Sequence, residues 1–280
     1  MGEFKVTTAS VADLRRIGEW AGDEGWNPGD DDAAAFFPAD PRGFLIGRLD
    51  GEPITSISGI RYGDDFGFIG LYITRPEFRG RGYGLRTWNA GLDRLAGRLI
   101  ALDGVSAQQD NYRKSGFRPA WSNVRYQGVP AAGPAAGVTV TDAREIGFDR
   151  LAAYDRRFFP AARDAFLSAW IAGPEHRAVV AIRDGDLVGL GVLRPARDAP
   201  RVGPLYAADP GVAEALLDGL TKGREREEIV IDVPSVNETA VDLVERLGLK
   251  ALWETARMYT GPTPDLDLAG LYAVTTLELG

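Results

Sequence analysis

YITRPEFRGRGYGLRTWNAGL, residues 72–92, decides how the chain folds. The apolar stretch FGFIGLYIT, residues 66–74, reads as a strand ending near Thr74. A glycine-rich turn, RGRGYG, follows at residues 79–84. Leu85, Trp88, Leu92, Leu95 and Leu99 then recur at steps of three and four, the spacing of one apolar helix face. Amides at a helix start, aided by the helix dipole, form an anion site. Gly80, Gly82 and Gly84 let the backbone approach a bulky phosphate, and Arg79 and Arg81 add positive charge. On these residues alone the turn is either a phosphate cradle or a plain surface turn. A dinucleotide fingerprint fails, because Leu85 stands where the third glycine belongs. A Walker A loop fails because no Gly-Lys-Ser/Thr follows.

Upstream, Ser10-x-x-Asp13 marks a helix start with Val11, Leu14, Ile17 and Trp20 on one face. The loop EGWNPGDDD, residues 24–32, comes next. Residues 43–60, GFLIGRLDGEPITSISGI, read as a hairpin turning at Asp50-Gly51. Downstream of the glycine-rich turn and its helix lie the strand LIALDGV (99–105), a short helix and a closing strand. The order α, β, β, β, loop-helix, β, α, β predicts an α/β chain of the α+β, mixed-sheet kind, its sheet covered by helices.

That pattern occurs twice. Gly116, Trp121 and Arg125 match Gly248, Trp253 and Arg257, each at an offset of 132 (248 − 116). A second hairpin turns at Asp184-Gly185. The Ala/Gly/Pro-rich segment QGVPAAGPAAGV, residues 127–138, separates the halves. The expected division is a first domain at 1–128, a linker at 129–137 and a second domain at 138–280. Each domain is expected to be a mixed central sheet flanked by helices.

Composition narrows the function. A chain of 280 residues with 45% hydrophobic and 26% charged residues is globular and long enough for two cores. A net charge of −8 opposes nucleic acid and leaves room for a cationic substrate. The absence of cysteine removes disulfides, thiolate metal sites and a thiol nucleophile. The single histidine, His176, follows Gly-Pro-Glu and is expected in a surface loop. The start MGEFKVTTAS has no apolar signal core, Val6 breaks the myristoylation pattern, and no run spans a bilayer. A cytoplasmic protein with no membrane or nucleic-acid partner, monomeric or homodimeric, is expected.

Arg79-x-x-Gly82-x-Gly84 after Pro76 resembles the acyl-CoA pyrophosphate loop of the GNAT superfamily of N-acetyltransferases. NYRKSGF, residues 111–117, resembles that family's second motif, with Tyr112 four residues before Gly116. EGWNPG and RMYTG are similar to segments of a tandem-domain subgroup in which a complete domain precedes a degenerate one. The resemblance implies acetyl-CoA as co-substrate, no metal, and direct attack of an amine on the thioester. It places the acetyl carbonyl on amides of Tyr72, Ile73 and Thr74. It places the pyrophosphate on Arg79, Gly80, Arg81, Gly82, Tyr83, Gly84 and Leu85, with Asn111 also on the cofactor side. Tyr112 would protonate the leaving thiolate; its bland alternative is a ring capping the core. Val105 stands where the family has an asparagine.

An alkylamine with a pKa of about 10.4 must lose a proton before attack. The candidate bases are Glu24, Asp31 and Asp103, or a water chain; each carboxylate is otherwise an ordinary solvated acid. Trp26, Asn27 and Asp31 suit an amine cation, or else Trp26 and Asn27 anchor a tight turn. Trp121, Trp253, Arg125 and Arg257 occur in both halves and are expected in the core. The second half lacks Arg-x-x-Gly-x-Gly after Pro210 and has Val244 in place of the tyrosine. Its offset falls from 134 (210 − 76) to 129 (232 − 103), so five residues are missing where the loop should be. The reading is acetyl transfer to a small primary amine. A protein lysine or N-terminus, or a non-catalytic acyl-CoA sensor, is the alternative.

Overall fold

The computed structural model describes residues 2–131 and 137–280, so residues 132–136 of the expected linker lie outside it. The first half begins with a strand absent from the sequence reading, β1 (Phe4–Thr8), where only Phe4 is buried and the alternation is weak. Helix α1 (Val11–Asp23) carries the full Ser10/Asp13 capping box and buries Leu14 and Ile17. A short helix α2 (Asp32–Phe36) follows. Strands β2 (Phe44–Leu49), β3 (Glu52–Tyr62) and β4 (Phe66–Thr74) run antiparallel. Asp50 and Gly51 both take positive φ, as a tight hairpin turn requires. Helix α3 (Tyr83–Arg94) then carries the chain over to β5 (Leu99–Val105), parallel to β4. Leu99 therefore opens a strand and does not extend the helix face. Helix α4 (Gln109–Lys114) and strand β6 (Arg118–Gly128) complete the half.

The second half repeats this plan. Strands β7 (Thr139–Asp142), β8 (Arg177–Arg183), β9 (Asp186–Arg194) and β10 (Arg201–Ala207) are antiparallel. Helices α5 (Phe148–Asp155) and α6 (Asp164–Ala172) lie between β7 and β8. Helix α7 (Pro210–Thr221) leads to β11 (Ile229–Pro234), parallel to β10. Helix α8 (Glu238–Arg246) and β12 (Lys250–Tyr259) follow, and a short β13 (Leu271–Ala273) pairs with β10.

The halves exchange their last strands. β5 pairs with β12, not with β6, and β6 pairs with β11 and β12. The main path runs β1-β2-β3-β4-β5-β12-β6-β11-β10-β9-β8-β7, one continuous mixed sheet. A boundary at residue 128 therefore divides the chain but not the sheet. Trp121, Arg125, Trp253 and Arg257 follow from this exchange. Asp232 faces Arg125 and Asp103 faces Arg257 directly across strands. Arg125 grips Asp232 at 2.7 and 2.8 Å, and Arg257 grips Asp103 at 2.8 Å twice. Each arginine also lies over the tryptophan of the other half's final strand, Trp253 and Trp121 respectively. Each seam is thus closed by a tryptophan, an arginine and an aspartate.

Arg201 adds a further bond to Asp232 at 3.0 Å. Burial works against the Asp232 charge, but Arg125 and Arg201 outweigh it and hold the carboxyl at about 2. A depressed folded-state pKa contributes stability above the ordinary aspartate range that is lost as pH falls through the folded value. Thermal midpoints are expected to fall as pH drops from about 4 to about 2, and Asp232→Asn is expected to flatten that stretch while lowering the whole curve. An unchanged slope in the variant would assign the acid loss to other groups. His176 is a correction to the sequence reading. It is buried, its Nδ1 is 2.7 Å from the Trp170 carbonyl, and burial pushes its pKa below the ordinary value. No helix among the described residues is long and apolar enough to cross a membrane.

Candidate active site

The site starts from a break in β4. Leu71 has a φ of +47°, a strained value for a leucine, and the register against β3 slips beside it. The Ser56 hydroxyl donates to the Leu71 carbonyl at 2.8 Å and holds the bulge. The pairing of β4 with β5 ends at Ile69–Leu102. Beyond that point the strands part, and amides of β4 facing β5 lose their ladder partners. A cavity of about 710 Å³ opens in the gap.

Its outer end is the glycine-rich turn. Gly82 caps α3 at a φ of +82°, and Gly80 has +72°; a side chain at either would meet only open space. These glycines are needed for backbone conformation. Gly84 differs, because a Cβ there would sit 2.7 Å from the Thr74 hydroxyl and 2.8 Å from that of Tyr72. The first amides of α3 have no carbonyl one turn before them and are left free to bind an anion. Leu85 is 61% exposed because it stands at this mouth. Arg79, Gly80, Gly82, Gly84 and Leu85 line the cavity, as do Tyr72, Ile73 and Thr74. Arg81, Tyr83 and Asn111 do not. Arg81 lies over the rings of Phe78 and Tyr83, and Tyr83 packs on Phe4. Asn111 is exposed and bonds to Gln108 of its own turn, so the cofactor-side assignment of its side chain is corrected.

Tyr112 lines the cavity, its ring tilted against that of Trp88 with centroids 5.3 Å apart. Gly104 of β5 makes room for its ring, since a Cβ there would come within 2.7 Å. Burial, with Tyr72 adding to it, pushes the Tyr112 hydroxyl well above the ordinary phenol value. The group therefore holds its proton at neutral pH and can donate a hydrogen bond to an anion formed beside it. Val105 shares the same wall.

The base candidates fare differently. Glu24 lines the outer end, but its carboxylate is engaged by Arg79, whose Nε also binds the Thr74 carbonyl. Asp103 lines the inner end with both oxygens held by Arg257 and one also by Asn123. Burial raises its pKa and Arg257 opposes that. A carboxylate so occupied is a structural clamp, which corrects the reading of Asp103 as a base. Asp31 is exposed and lies outside the cavity wall; its neighbour Asp32 is buried against Arg194. Asn27 is also corrected: its side chain donates to the Ala199 carbonyl at 2.8 Å and accepts from the Asp198 amide at 2.7 Å. It ties the first half to the second, and of that loop Glu24 and Trp26 line the cavity. Trp253, expected in the core, is half-buried and faces the cavity beside Arg125.

The second half completes the inner end with Trp253, Thr255, Leu277 and Glu278. Sequence reasoning missed the last three, because nothing local marks Thr255 or the 274–280 segment as facing the other half. The second half has no comparable cradle of its own. Asp209 caps α7 by accepting from the Val212 amide at 3.0 Å, and Pro210 occupies the first turn. A carboxylate already fills the anion position there. Val244 is packed in an apolar cluster.

Comparison with known proteins fits this geometry. Residues 11–117 match the Acetyltransferase (GNAT) family, and residues 151–273 match an Acetyltransferase (GNAT) domain. A holothin acyltransferase from Pseudoalteromonas sp. (strain SANK 73390) is 30% identical over 285 residues, covering 100% of this chain and 97% of the relative. The chain is a GNAT-family acyl-CoA N-acyltransferase. It is a tandem GNAT protein whose second domain has lost the cofactor loop. A solved putative acetyltransferase from Pyrococcus horikoshii shares the fold at a TM-score of 0.82 and 22% identity, covering 99% of this chain and 96% of that one. A tandem GNAT protein from the clavulanic acid biosynthesis pathway does so at 0.63 and 15%, covering 94% and 100%. GNAT enzymes use acetyl-CoA as co-substrate. Among the described residues no group of three or more His, Asp or Glu is placed to hold a metal ion.

Proposed function

We propose that the protein transfers the acetyl group of acetyl-CoA to the primary amine of a small molecule. The observation that carries this reading is one continuous cavity lined by the start of α3, Tyr112 and a wall built by the second half. The α3 amides hold the pyrophosphate, and the freed amides of Tyr72 to Thr74 polarise the thioester carbonyl. Tyr112 donates its proton to the departing sulfur as the amine nitrogen bonds to the acyl carbon. The wall of Trp253, Thr255, Leu277 and Glu278 favours a compact acceptor over a protein chain, which would need an open groove. The 30% identical relative is named for holothin and not for a protein, which supports the same choice.

CoA release measured on 2-phenylethylamine, benzylamine, spermidine, glucosamine and a lysine-bearing peptide tests the proposal. Turnover of a small amine is expected to exceed that of the peptide. In Tyr112→Phe, kcat is expected to fall about 10²- to 10⁴-fold with acetyl-CoA affinity retained. Preference for the peptide, or full activity in Tyr112→Phe, would overturn the corresponding assignment.

A further inference from the structure

Two residues in the wall of the cavity each carry a buried polar atom with no hydrogen-bond partner: Glu278 Oε2 and Thr255 Oγ1. Both residues belong to the second half, and they are 6% and 2% exposed. A buried carboxylate oxygen with no partner is costly and calls for a reason. Glu278 is held in place from behind. Its Oε1 accepts from Arg201 Nη1 at 2.9 Å. Its backbone lies against β4, where a Cβ on Gly70 would come within 1.9 Å of the Glu278 carbonyl. Gly70 adjoins the Leu71 bulge, so the Glu278 segment sits at the point where β4 and β5 part.

A second cavity of about 580 Å³ opens between α1 and the 28–33 segment. The two cavities share two lining residues, Leu71 and Glu278. The second is rimmed by Glu19, Asp23 and Asp30, with Arg15 and Arg197 as opposing charges. Glu278 thus borders both the cofactor cavity and a second cavity large enough for an acceptor.

We propose that Glu278, contributed by the degenerate half, is the proton acceptor for the attacking amine. The inference rests on the acyl-transfer reading above. The acceptor is a primary amine that arrives as an ammonium ion. Glu278 Oε2 takes one ammonium proton, which frees the nitrogen lone pair. That pair bonds to the acyl carbon, the carbon–sulfur bond breaks, and the sulfur takes the proton of Tyr112. The nitrogen's second surplus proton leaves to solvent, which also restores Tyr112 and Glu278. The sum is ammonium plus thioester giving amide, thiol and one proton released to solvent. The charged groups facing Glu278 are Arg201 of β10, which also holds Asp232 of β11, and Arg194 of β9, which is paired with Asp32. Counting Arg125, which also grips Asp232, three arginines stand against the three carboxylates Asp232, Asp32 and Glu278, and of these carboxylates only Glu278 leaves an oxygen without a partner.

The test is Glu278→Gln, whose amide oxygen still accepts from Arg201. It uses kcat from pH 6 to pH 10 with saturating acetyl-CoA and the alkylamine that the wild type turns over fastest in the panel above. The wild type is expected to reach a plateau near neutrality. The variant is expected to be at least 100-fold slower at pH 7 and to gain about tenfold per pH unit, approaching the wild type near pH 10, where the amine deprotonates by itself. Glu278→Asp, which keeps a carboxylate, is expected to restore the plateau at a reduced rate. A loss equal at every pH, or no loss, would overturn the proposal and leave Glu278 a structural partner of Arg201. If the wild type turned over no amine, acyl transfer itself would fall and this inference with it. Those results differ, because only the last is seen in the wild type.

Discussion

Arg257→Ala is expected to destabilise the protein by about 3–5 kcal/mol, the cost of stranding a buried partner charge. Arg257 sits on β12 and Asp103 on β5, so the bond joins the end of the chain to a strand 154 residues earlier. Both side chains are nearly inaccessible to water. Without the guanidinium, Asp103 keeps only the Asn123 amide, at 2.8 Å. It must then carry an uncompensated charge or take up a proton. Trp121 also loses the cation over its ring. Arg125→Ala is expected to act likewise at the other seam, where Asp232 would retain Arg201 and the loss would be smaller. By contrast Arg113→Ala, which breaks an exposed pair with Asp110, is expected to leave the urea midpoint unmoved. A loss below about 1 kcal/mol in Arg257→Ala would mean that the seam is held by strand pairing and apolar packing alone.

The seam also shows where sequence reading stops. The repeat of Gly, Trp and Arg at a constant offset was legible, and so was the conclusion that Trp121, Arg125 and Arg257 are structural. Their partners were not, because Asp103 and Asp232 each satisfy an arginine from the opposite half. Offset arithmetic aligns equivalent positions but says nothing of which copy a strand pairs with. Internal symmetry makes both pairings equally consistent with the pattern. Asn27 misled for a related reason. Asn-Pro-Gly signals a turn, and its buried bonds run to residues about 170 positions away. The glycine-rich turn was legible because its chemistry is local: strand end, positive-φ glycines and helix start lie within twenty residues. Glu278 carries no local signal, since its meaning depends on the Gly70 surface it covers and the two cavities it joins.

Gly82→Glu is expected to weaken acetyl-CoA binding by about 10³-fold. Gly82 caps α3 at positive φ, so any side chain there takes a conformation that costs about 1–2 kcal/mol. A glutamate also sets a carboxylate before the amides that are to receive a pyrophosphate. One like-charge contact at about 4 Å is worth about 4 kcal/mol near a protein surface, or about three powers of ten in affinity. The site has open space around Gly82, so the fold tolerates the added atoms. Gly82→Asn separates charge from backbone strain. Asparagine accepts positive φ and is neutral, and its affinity is expected to stay within about tenfold of the wild type.

One acyl-CoA site per chain, at the turn of residues 79–84, is expected. Calorimetric titration of acetyl-CoA into the wild type, Gly82→Asn and Gly82→Glu tests it. The wild type is expected to bind at one site per chain, the asparagine variant to bind nearly as well and the glutamate variant to lose binding. Two sites per chain, or unchanged affinity in Gly82→Glu, would contradict it.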